Sequence, residues 1–169
     1  GQWHNISLMF NKAIANAKKC IYLETPYFLP TESLLKALQT AALSKIDVRV
    51  LIPRQPDSMM LKLASGSYIS DCLRAGIKVY FCEPGMLHSK TIVIDDEFFT
   101  TGSTNFDFRS MEYNFECNAF IYSKTINEKM KTAFFADLAQ STRITSSTWR
   151  RRPFVQKFKH RIATFLRRI

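Results

Sequence analysis

The sequence predicts an α/β fold in which a mixed β-sheet is flanked by helices on both faces. Short runs of β-branched and apolar residues alternate along the chain with longer stretches whose apolar residues have helical spacing, and this alternation is typical of an α/β sandwich. The 169 residues, 46% of them hydrophobic, suffice for one domain with a real core. No uninterrupted apolar run approaches the roughly 18 residues that a membrane span requires.

Four helices are predicted before residue 140 from apolar residues that recur every three or four positions. Thr31 is the expected N-cap of the second helix, and Gly76 is the expected C-terminal stop of the third, in which Gly66 is a candidate break. The predicted helices cover residues 5–18, the stretch after Thr31 that includes 34–42, residues 58–75 and residues 124–139.

Six strands are predicted from short runs rich in β-branched and apolar residues. They cover residues 20–24, 47–52, 77–82, 91–94, 98–101 and 115–122. Among the connections, residues 25–30 form a loop bracketed by prolines, and residues 111–114 join the last two elements of the sheet.

The stretch 87–107 carries the candidate chemistry. His88 and Lys90 lie two residues apart in the run that continues as the strand 91–94, so alternation along a strand is expected to place both side chains on one face. Asp95 has the opposite parity and begins a turn. We therefore expect its carboxylate to support the turn or a neighbouring backbone and not to contact a substrate.

The strand 98–101 is expected to return along its neighbour and bring Gly102, Ser103 and Asn105 beside the imidazole. Gly102 allows a tight bend, and Ser103 and Asn105 then offer short polar side chains. An imidazole, an ammonium, a hydroxyl and an amide together suit a phosphoryl group. The cation and the donors hold the oxygens, while the imidazole attacks the phosphorus or donates a proton.

Glu116 is a further candidate because it lies in the predicted strand 115–122. Alternation places it on one face with Asn118, Phe120 and Tyr122. A carboxylate in an apolar strand needs a partner, unless the strand lies at an edge and the carboxylate points to solvent. The residues alone leave both interpretations open.

The basic charge is concentrated at the C-terminus. All 14 acidic residues lie at or before Asp137, whereas nine of the 24 lysines and arginines follow it. This boundary divides the chain into a predicted catalytic domain over residues 1–140 and a basic amphipathic tail over residues 141–169.

Pro153 is the expected first residue of a helix in this tail, whose apolar stripe is flanked by basic residues. Such a helix is typical of a membrane interface, although its stripe could instead pack on the domain. The predicted membrane contacts are Arg150, Arg151, Arg152, Phe154, Lys157, Phe158, Arg161 and Phe165.

The four cysteines, at positions 20, 72, 82 and 117, lie in apolar runs without a C-x-x-C pattern. This predicts buried free thiols in a reducing compartment, and no cluster of zinc ligands is evident. The chain starts at Gly1 without a signal peptide, which suggests a processed chain or a piece of a larger protein.

Three separated signatures resemble the phospholipase D superfamily and, within it, the C-terminal half of bacterial cardiolipin synthases. The superfamily pattern H-x-K-x4-D followed by G-S-x-N stands here as His88, Lys90, Asp95, Gly102, Ser103 and Asn105, with no departure. The continuation through Asn114-Phe115-Glu116 resembles the cardiolipin synthase signature, and residues 25–30 resemble its T-P-Y-F-x-P loop. The tail, with Trp149 and Arg152-Pro153, is also similar.

This resemblance implies phosphatidyl transfer between two phosphatidylglycerol molecules through a phosphohistidine, which gives cardiolipin and glycerol. The reaction needs two imidazoles on opposite sides of the phosphorus, and it needs no metal or other cofactor. Because the chain has a single H-x-K-x4-D motif, the resemblance implies half of an active site, which requires a second such half or a homodimer. His4 and His160 lack the motif and are not expected to serve as the second base.

The resemblance also assigns roles to individual residues. It implies that Glu116 orients the catalytic imidazole and that Lys90, Ser103 and Asn105 hold the phosphoryl oxygens. Tyr27, in the loop that also contains Phe28, is expected to contact substrate and shelter the site from water, unless these rings only pack in the core.

Two alternatives to a cardiolipin synthase half remain open. One is a single-motif nuclease that is active as a homodimer, although the basic charge lies in the tail rather than in a cleft. The other is an inactive half-domain that binds anionic membrane. The synthase interpretation predicts anionic phospholipid and the bacterial cytoplasmic membrane surface as partners, and no nucleic acid.

Overall fold

A computed structural model describes residues 4–56, 59–83, 87–154, 157 and 160. The helices are α1 Asn5–Ala15, α2 Glu32–Leu43, α3 Met59–Ala75, α4 Phe108–Glu112, α5 Lys124–Ala139 and α6 Ser146–Arg150. The strands are β1 Cys20–Glu24, β2 Phe28–Leu29, β3 Asp47–Pro53, β4 Lys78–Cys82, β5 Thr91–Ile94, β6 Phe98–Gly102, β7 Phe106–Asp107, β8 Asn118–Tyr122 and β9 Ser141–Ile144.

Seven of these strands form one mixed sheet in the order β8-β6-β5-β1-β3-β4-β9. The strands β1, β3 and β4 are parallel, and the remaining neighbours are antiparallel. The short strands β2 and β7 pair separately, in parallel.

Helices cover both faces of the sheet, as the sequence predicts. On one face, α1, α2 and α3 bury a cluster that includes Phe10, Leu38 and Ile69 against the sheet. On the other face, α5 packs Phe134 on Tyr22, with the rings stacked at 4.9 Å. The predicted α/β sandwich is therefore confirmed.

Local signals explain several element ends. The Thr31 hydroxyl accepts from Leu34 N and caps α2, and the Ser123 hydroxyl caps α5 in the same way. Gly76 follows α3 with a φ of 90°, a backbone conformation that residues other than glycine rarely adopt.

The structure corrects four of the predicted element boundaries. His88 and Lys90 lie before β5 and not within it, and Glu116 lies before β8. The predicted loop 25–30 contains the short strand β2, and the predicted connection 111–114 begins within helix α4.

Helix α3 runs through Gly66 without the expected break. A Cβ atom at this position would lie 2.4 Å from Nε2 of His160, so the glycine leaves the space that the imidazole ring occupies. The ring stacks on Trp149 at 5.3 Å, and burial, together with the charge of Arg152, lowers the pKa of His160 to about 4. The tail therefore contacts the domain at this point.

The ordered sheet extends past residue 140, because β9 pairs with β4 as an edge strand. Beyond it, Phe154, Lys157 and His160 are helical. The division into residues 1–140 and 141–169 stays a prediction. Across the described residues, no helix combines the length and apolar character needed to cross a bilayer.

Three cysteines are buried as free thiols, as predicted, but Cys117 is exposed. It directly precedes β8 at the edge of the sheet, where neighbouring strands cover less of the chain. The expectation of a buried thiol is therefore wrong for this residue.

Candidate active site

Sheet register brings three separate stretches of sequence to one edge. Thr91, the first residue of β5, pairs with Thr101 near the end of β6. Gly102, the last residue of β6, pairs with Asn118, the first residue of β8. The residues just before β5, just after β6 and just before β8 therefore lie side by side.

His88 and Lys90 occupy the first of these stretches. The His88 ring is exposed, and the Lys90 ammonium donates to the His88 carbonyl oxygen at 3.0 Å. Desolvation lowers the pKa of Lys90, although the nearby carboxylates of Glu116 and Asp107 oppose this shift. The bond between Lys90 and the His88 carbonyl ties the cation to the segment that bears the imidazole.

Gly102 begins the second stretch, and its role differs from the one expected. The structure gives it no positive φ, so the bend does not require glycine. A Cβ atom at this residue would instead lie 2.1 Å from the Cys117 carbonyl oxygen and 2.4 Å from Oδ1 of Asn118. Glycine is needed here because β8 approaches too closely for any side chain.

Ser103 and Asn105 follow Gly102 at the same edge. The Ser103 hydroxyl accepts from Cys117 N at 3.0 Å and donates to the Glu116 carboxylate. Oδ1 of Asn105 is buried and has no hydrogen-bond partner within the described part of the chain. A buried acceptor without a partner is costly, and a donor completes it, whereas the amide nitrogen of Asn105 is the group that can donate to a phosphoryl oxygen.

Glu116 joins this group from the third stretch. Its carboxylate accepts from the Ser103 hydroxyl and from Nδ2 of Asn114 at 3.3 Å. Desolvation acts to raise the pKa of Glu116, but these hydrogen bonds, with the charge of Lys90, hold it below its ordinary value. The carboxylate binds Ser103 here and not the His88 ring, so its expected role in orienting the imidazole stays a prediction.

Asp95 lies away from this edge, at the opposite end of β5. Its carboxylate accepts three backbone N–H groups, from Lys18 at 2.9 Å, Lys19 at 2.7 Å and Cys20 at 3.0 Å. The residue has a φ of 52°, in the left-handed region that aspartate tolerates at turns. Asp95 thus binds neighbouring backbone, as its place at the turn predicts.

Two polar residues that the sequence analysis does not identify hold the G-S-x-N segment in place. The hydroxyl of buried Thr25 accepts from Phe106 N at 3.0 Å, directly after Asn105. Oδ1 of Asn118 accepts from the hydroxyl of Thr104 at 2.6 Å. The sequence gives no signal for these partners, because Thr25 lies 81 positions from Phe106.

The two aromatic residues of the loop 25–30 differ in position. Phe28 is buried and stacks on Phe106 at 5.8 Å with nearly parallel rings, so its expected role in sheltering the site is wrong. Tyr27 is half-buried and packs at the margin of the same core. A contact between Tyr27 and substrate stays a prediction.

The predicted membrane contacts are only partly within the described residues. Arg150, Arg151, Phe154 and Lys157 are exposed. Arg152 is not a free surface cation, because its half-buried guanidinium lies 4.1 Å from the centre of the Trp149 ring. Phe158, Arg161 and Phe165 fall outside the described residues.

Groups of three or more His, Cys, Asp or Glu residues arranged to hold a metal ion are absent from the described residues. At the edge that bears His88, the Lys90 ammonium supplies a positive charge on the same segment as the imidazole. The arrangement can hold an anionic oxygen with Lys90 and Asn105, while the exposed imidazole faces solvent.

Comparisons with known proteins identify the family of the chain. A family model described as cardiolipin synthase, phospholipase D-like domain, matches residues 10–138. The Major cardiolipin synthase ClsA of Bacillus subtilis (strain 168) is 44% identical over 165 residues, which are 98% of this chain and 34% of that protein. Cardiolipin synthase 1 of Staphylococcus aureus (strain COL) is 41% identical over 161 residues, 95% of this chain and 33% of that protein.

The chain thus spans about a third of the length of these relatives. Among solved structures, Nuc from Salmonella typhimurium, a phospholipase D family member, matches with a TM-score of 0.71 and 25% identity over 82% of this chain and 90% of that one. Phosphatidylserine synthase from Haemophilus influenzae shares the fold, with a TM-score of 0.74 and 14% identity over 96% of this chain and 41% of that one. The chain belongs to the cardiolipin synthase family with a phospholipase D-like domain.

Proposed function

We propose that this chain supplies one half of the active site of a cardiolipin synthase. The observation that carries this proposal is the meeting of His88, Lys90, Asn105 and Glu116 at one sheet edge, in a chain of this family. The transferred group is the phosphatidyl group of one phosphatidylglycerol, and the acceptor is the hydroxyl of a second.

In the first step, one imidazole attacks the phosphorus and a P–N bond forms. The bond from phosphorus to the glycerol oxygen breaks, and a second imidazole gives its proton to the leaving alkoxide. In the second step, the hydroxyl of another phosphatidylglycerol attacks the phosphorus and the P–N bond breaks. The proton of that hydroxyl goes to the second imidazole, so cardiolipin and glycerol form and both rings are restored.

His88 supplies one of these imidazoles. Lys90 and Asn105 hold the phosphoryl oxygens, and Lys90 places a cation where negative charge develops. The second imidazole comes from another H-x-K-x4-D half or from a second copy of this chain. The length of the relatives, about three times that of the matched region, supports a second half within the same enzyme.

A domain replacement tests this function. The chain is exchanged for the matching third of the Bacillus subtilis synthase, and cardiolipin is measured by mass spectrometry in a host without cardiolipin synthases. We expect cardiolipin from this chimera and at least about 10³-fold less from its His88→Asn variant. His4→Asn, which changes an exposed histidine outside the motif, is the matched control. Equal cardiolipin from the His88→Asn and His4→Asn chimeras contradicts the proposal.

The basic tail attaches the chain peripherally to the anionic cytoplasmic membrane of a bacterium. Arg150, Arg151 and Lys157 are exposed, and each basic residue near an anionic surface contributes roughly 1 kcal/mol before screening. The substrate is itself an anionic lipid, so this charge also concentrates the chain where its substrate lies.

Vesicle sedimentation tests the attachment. Replacement of Arg150, Arg151 and Lys157 by Gln is expected to weaken binding to phosphatidylglycerol vesicles at least about tenfold. The matched control replaces three exposed lysines elsewhere, Lys12, Lys36 and Lys129, and removes the same charge. Equal weakening by both triple variants shows that net charge alone, and not the tail, governs binding.

A second candidate function is a nuclease that completes its site as a homodimer. It is favoured by the similarity to Nuc, of which the match covers 90%, because a chain of about this size has the same fold. Cleavage of DNA by the isolated chain, lost in His88→Asn and kept in His4→Asn, supports this alternative.

A further inference from the structure

A second carboxyl group lies behind the segment that carries His88, and the reaction proposed above does not use it. Glu24 is the last residue of β1, and only 5% of its surface is exposed. In the register of β1 with β5 it lies opposite Thr91. The sequence gives no reason for a charged residue there, because the strand is otherwise apolar and fully buried.

The polar contacts of Glu24 point to the segment 88–91. The Thr91 hydroxyl donates to its Oε2 at 3.4 Å, and the Ser89 hydroxyl also acts on the carboxyl group. Its Oε1 is buried with no hydrogen-bond partner in the part of the chain that the structure describes. A buried carboxylate with one empty oxygen is costly, whereas a protonated carboxyl group can donate from that oxygen.

Ser89 and Thr91 flank Lys90 in sequence. The charges of Glu116 and Asp107 act to raise the pKa of Lys90. The hydroxyls of Ser89 and Thr91 instead form hydrogen bonds with Glu24, which act to lower its pKa. Glu116 and Asp107 therefore lie on one side of this segment, and Glu24 lies on the other side.

Two further titratable groups face Glu24. Asp137 approaches from α5, and Cys82 approaches from β4. Burial, and after it the charge of Asp137, raises the pKa of Glu24 to about 7, and burial likewise raises the pKa of the Cys82 thiol. The charge of Asp137 thus adds to the cost of ionising Glu24.

We propose that Glu24 is a positioning residue for the transfer reaction: its carboxyl group accepts from the hydroxyls of Ser89 and Thr91 and holds this segment from behind. This inference rests on the proposed function for its consequence, which is that the contact keeps His88 and Lys90 in register. Glu24 does not contact the phosphorus. It acts through the backbone that carries the two catalytic side chains.

A titration of the isolated chain tests the physical part of this proposal. Backbone amide shifts of Ser89, Lys90 and Thr91 are followed by NMR in a His88→Asn background, which removes the titration of the neighbouring ring. We expect a common midpoint near pH 7, which Glu24→Gln abolishes and Asp137→Asn moves to lower pH. Glu97→Gln, which changes an exposed carboxylate paired with Lys124, is the control and leaves the midpoint unchanged.

The chimera described above tests the functional part. Glu24→Leu, which removes the acceptor for the Ser89 and Thr91 hydroxyls, is expected to lower transfer at least about threefold through kcat, with KM unchanged, because the substrate-holding groups remain. Glu24→Gln keeps an acceptor oxygen and is expected to stay within about twofold of wild type. A kcat of Glu24→Leu equal to that of wild type contradicts the positioning role.

The outcomes separate the two proposals. Amide midpoints that persist in Glu24→Gln, or that are absent from the wild type, overturn the role of Glu24 whatever the activity. An inactive chimera with the expected amide titration overturns the proposed function alone. If Glu24→Gln does not fold, the shift in Asp137→Asn decides, because a midpoint unchanged by the loss of that charge shows that the titrating group is not Glu24.

Discussion

At the end of the sheet where β1 and β3 begin, Asp47 binds Arg49 at 2.8 Å and Lys78 at 2.7 Å. Asp95 lies at the same end, where three backbone N–H groups surround its carboxylate. At the opposite end, the buried oxygens of Glu24 and Asn105 lack partners within the described residues.

The two ends differ in whether both oxygens of these carboxylates find partners within the described residues. A polar group whose partners all come from its own chain is explained by folding, because it costs little once it is satisfied. A buried polar group without such a partner is costly and calls for another explanation. Within the described residues, groups of the second kind occur on Glu24 and Asn105 at the end that bears His88. They also occur on Asn127 beside Phe98 at the other end, so the contrast applies to the carboxylates and not to every polar group.

Two half-buried lysines give the sharpest test of this comparison. We expect Lys90→Met in the chimera to lower the rate of cardiolipin formation by about 10²–10³-fold, because it removes the cation that stabilises developing charge. Lys78→Met is the matched change at the other end and is expected to leave the rate within threefold. Equal losses of activity from the two variants contradict a specific role for Lys90 in the reaction.

Gly102→Ala is expected to produce the largest loss of stability. The added Cβ would lie 2.1 Å from a backbone carbonyl oxygen, so β8 must move away from β6, at a cost of about 3 kcal/mol. Urea unfolding of the isolated chain measures this cost. Gly76→Ala is an informative companion, because a Cβ added there would have no atom of the described residues within 4 Å but the φ is 90°, and we expect a loss of only about 1 kcal/mol.

Asp95→Ala tests the end where the polar groups are satisfied. The substitution leaves three N–H groups without their acceptor, and we expect the free energy of unfolding to fall by about 2 kcal/mol. The neighbouring Asp96 is the control, because it is exposed and forms only surface ion pairs, and Asp96→Ala is expected to cost at most about 1 kcal/mol. A larger loss from Asp96→Ala than from Asp95→Ala contradicts the assignment.

The sequence predicts the elements and motifs that depend on neighbouring residues, such as helix α5 with both of its ends and the caps of α2 and α3. It also predicts that Ser103 and Asn105 lie beside the segment of His88, because the consecutive strands β5 and β6 pair as an antiparallel hairpin. It does not predict that Gly66 admits His160 or that Thr25 holds Phe106, since these partners meet only in the folded chain.

Glu24 shows the same limit at the candidate site. Its position in an apolar strand is visible in the sequence, but its environment depends on Thr91 across the sheet and on Asp137 from α5. Such surroundings can stabilise or destabilise a carboxylate, and the direction in which its pKa shifts depends on which partners it meets. For this reason the motif residues could be named from the sequence, whereas the group behind them could not.

The dependence of stability on pH should therefore have opposite signs at the two ends. Desolvation acts to raise the pKa of Asp47, but Arg49 and Lys78 hold it below its ordinary value. Asp47 thus contributes stability above the unfolded pKa of about 4, and this is lost as the pH falls through the lower folded value. Glu24, whose pKa is raised to about 7, binds its proton more tightly in the folded state, so stability falls as the pH rises from about 4.5 to about 7.

Urea unfolding at pH 3, 5 and 8 of Asp47→Asn and Glu24→Gln measures this contrast. Relative to wild type, we expect Asp47→Asn to be less stable at pH 5 and 8 by of the order of 1 kcal/mol, with the difference shrinking at pH 3. Glu24→Gln should match wild type at pH 3 and exceed its stability by of the order of 1 kcal/mol at pH 8. If Glu24→Gln is less stable than wild type at pH 8, the ionised carboxylate has a partner there, and the two ends of the sheet are alike in satisfying their charges.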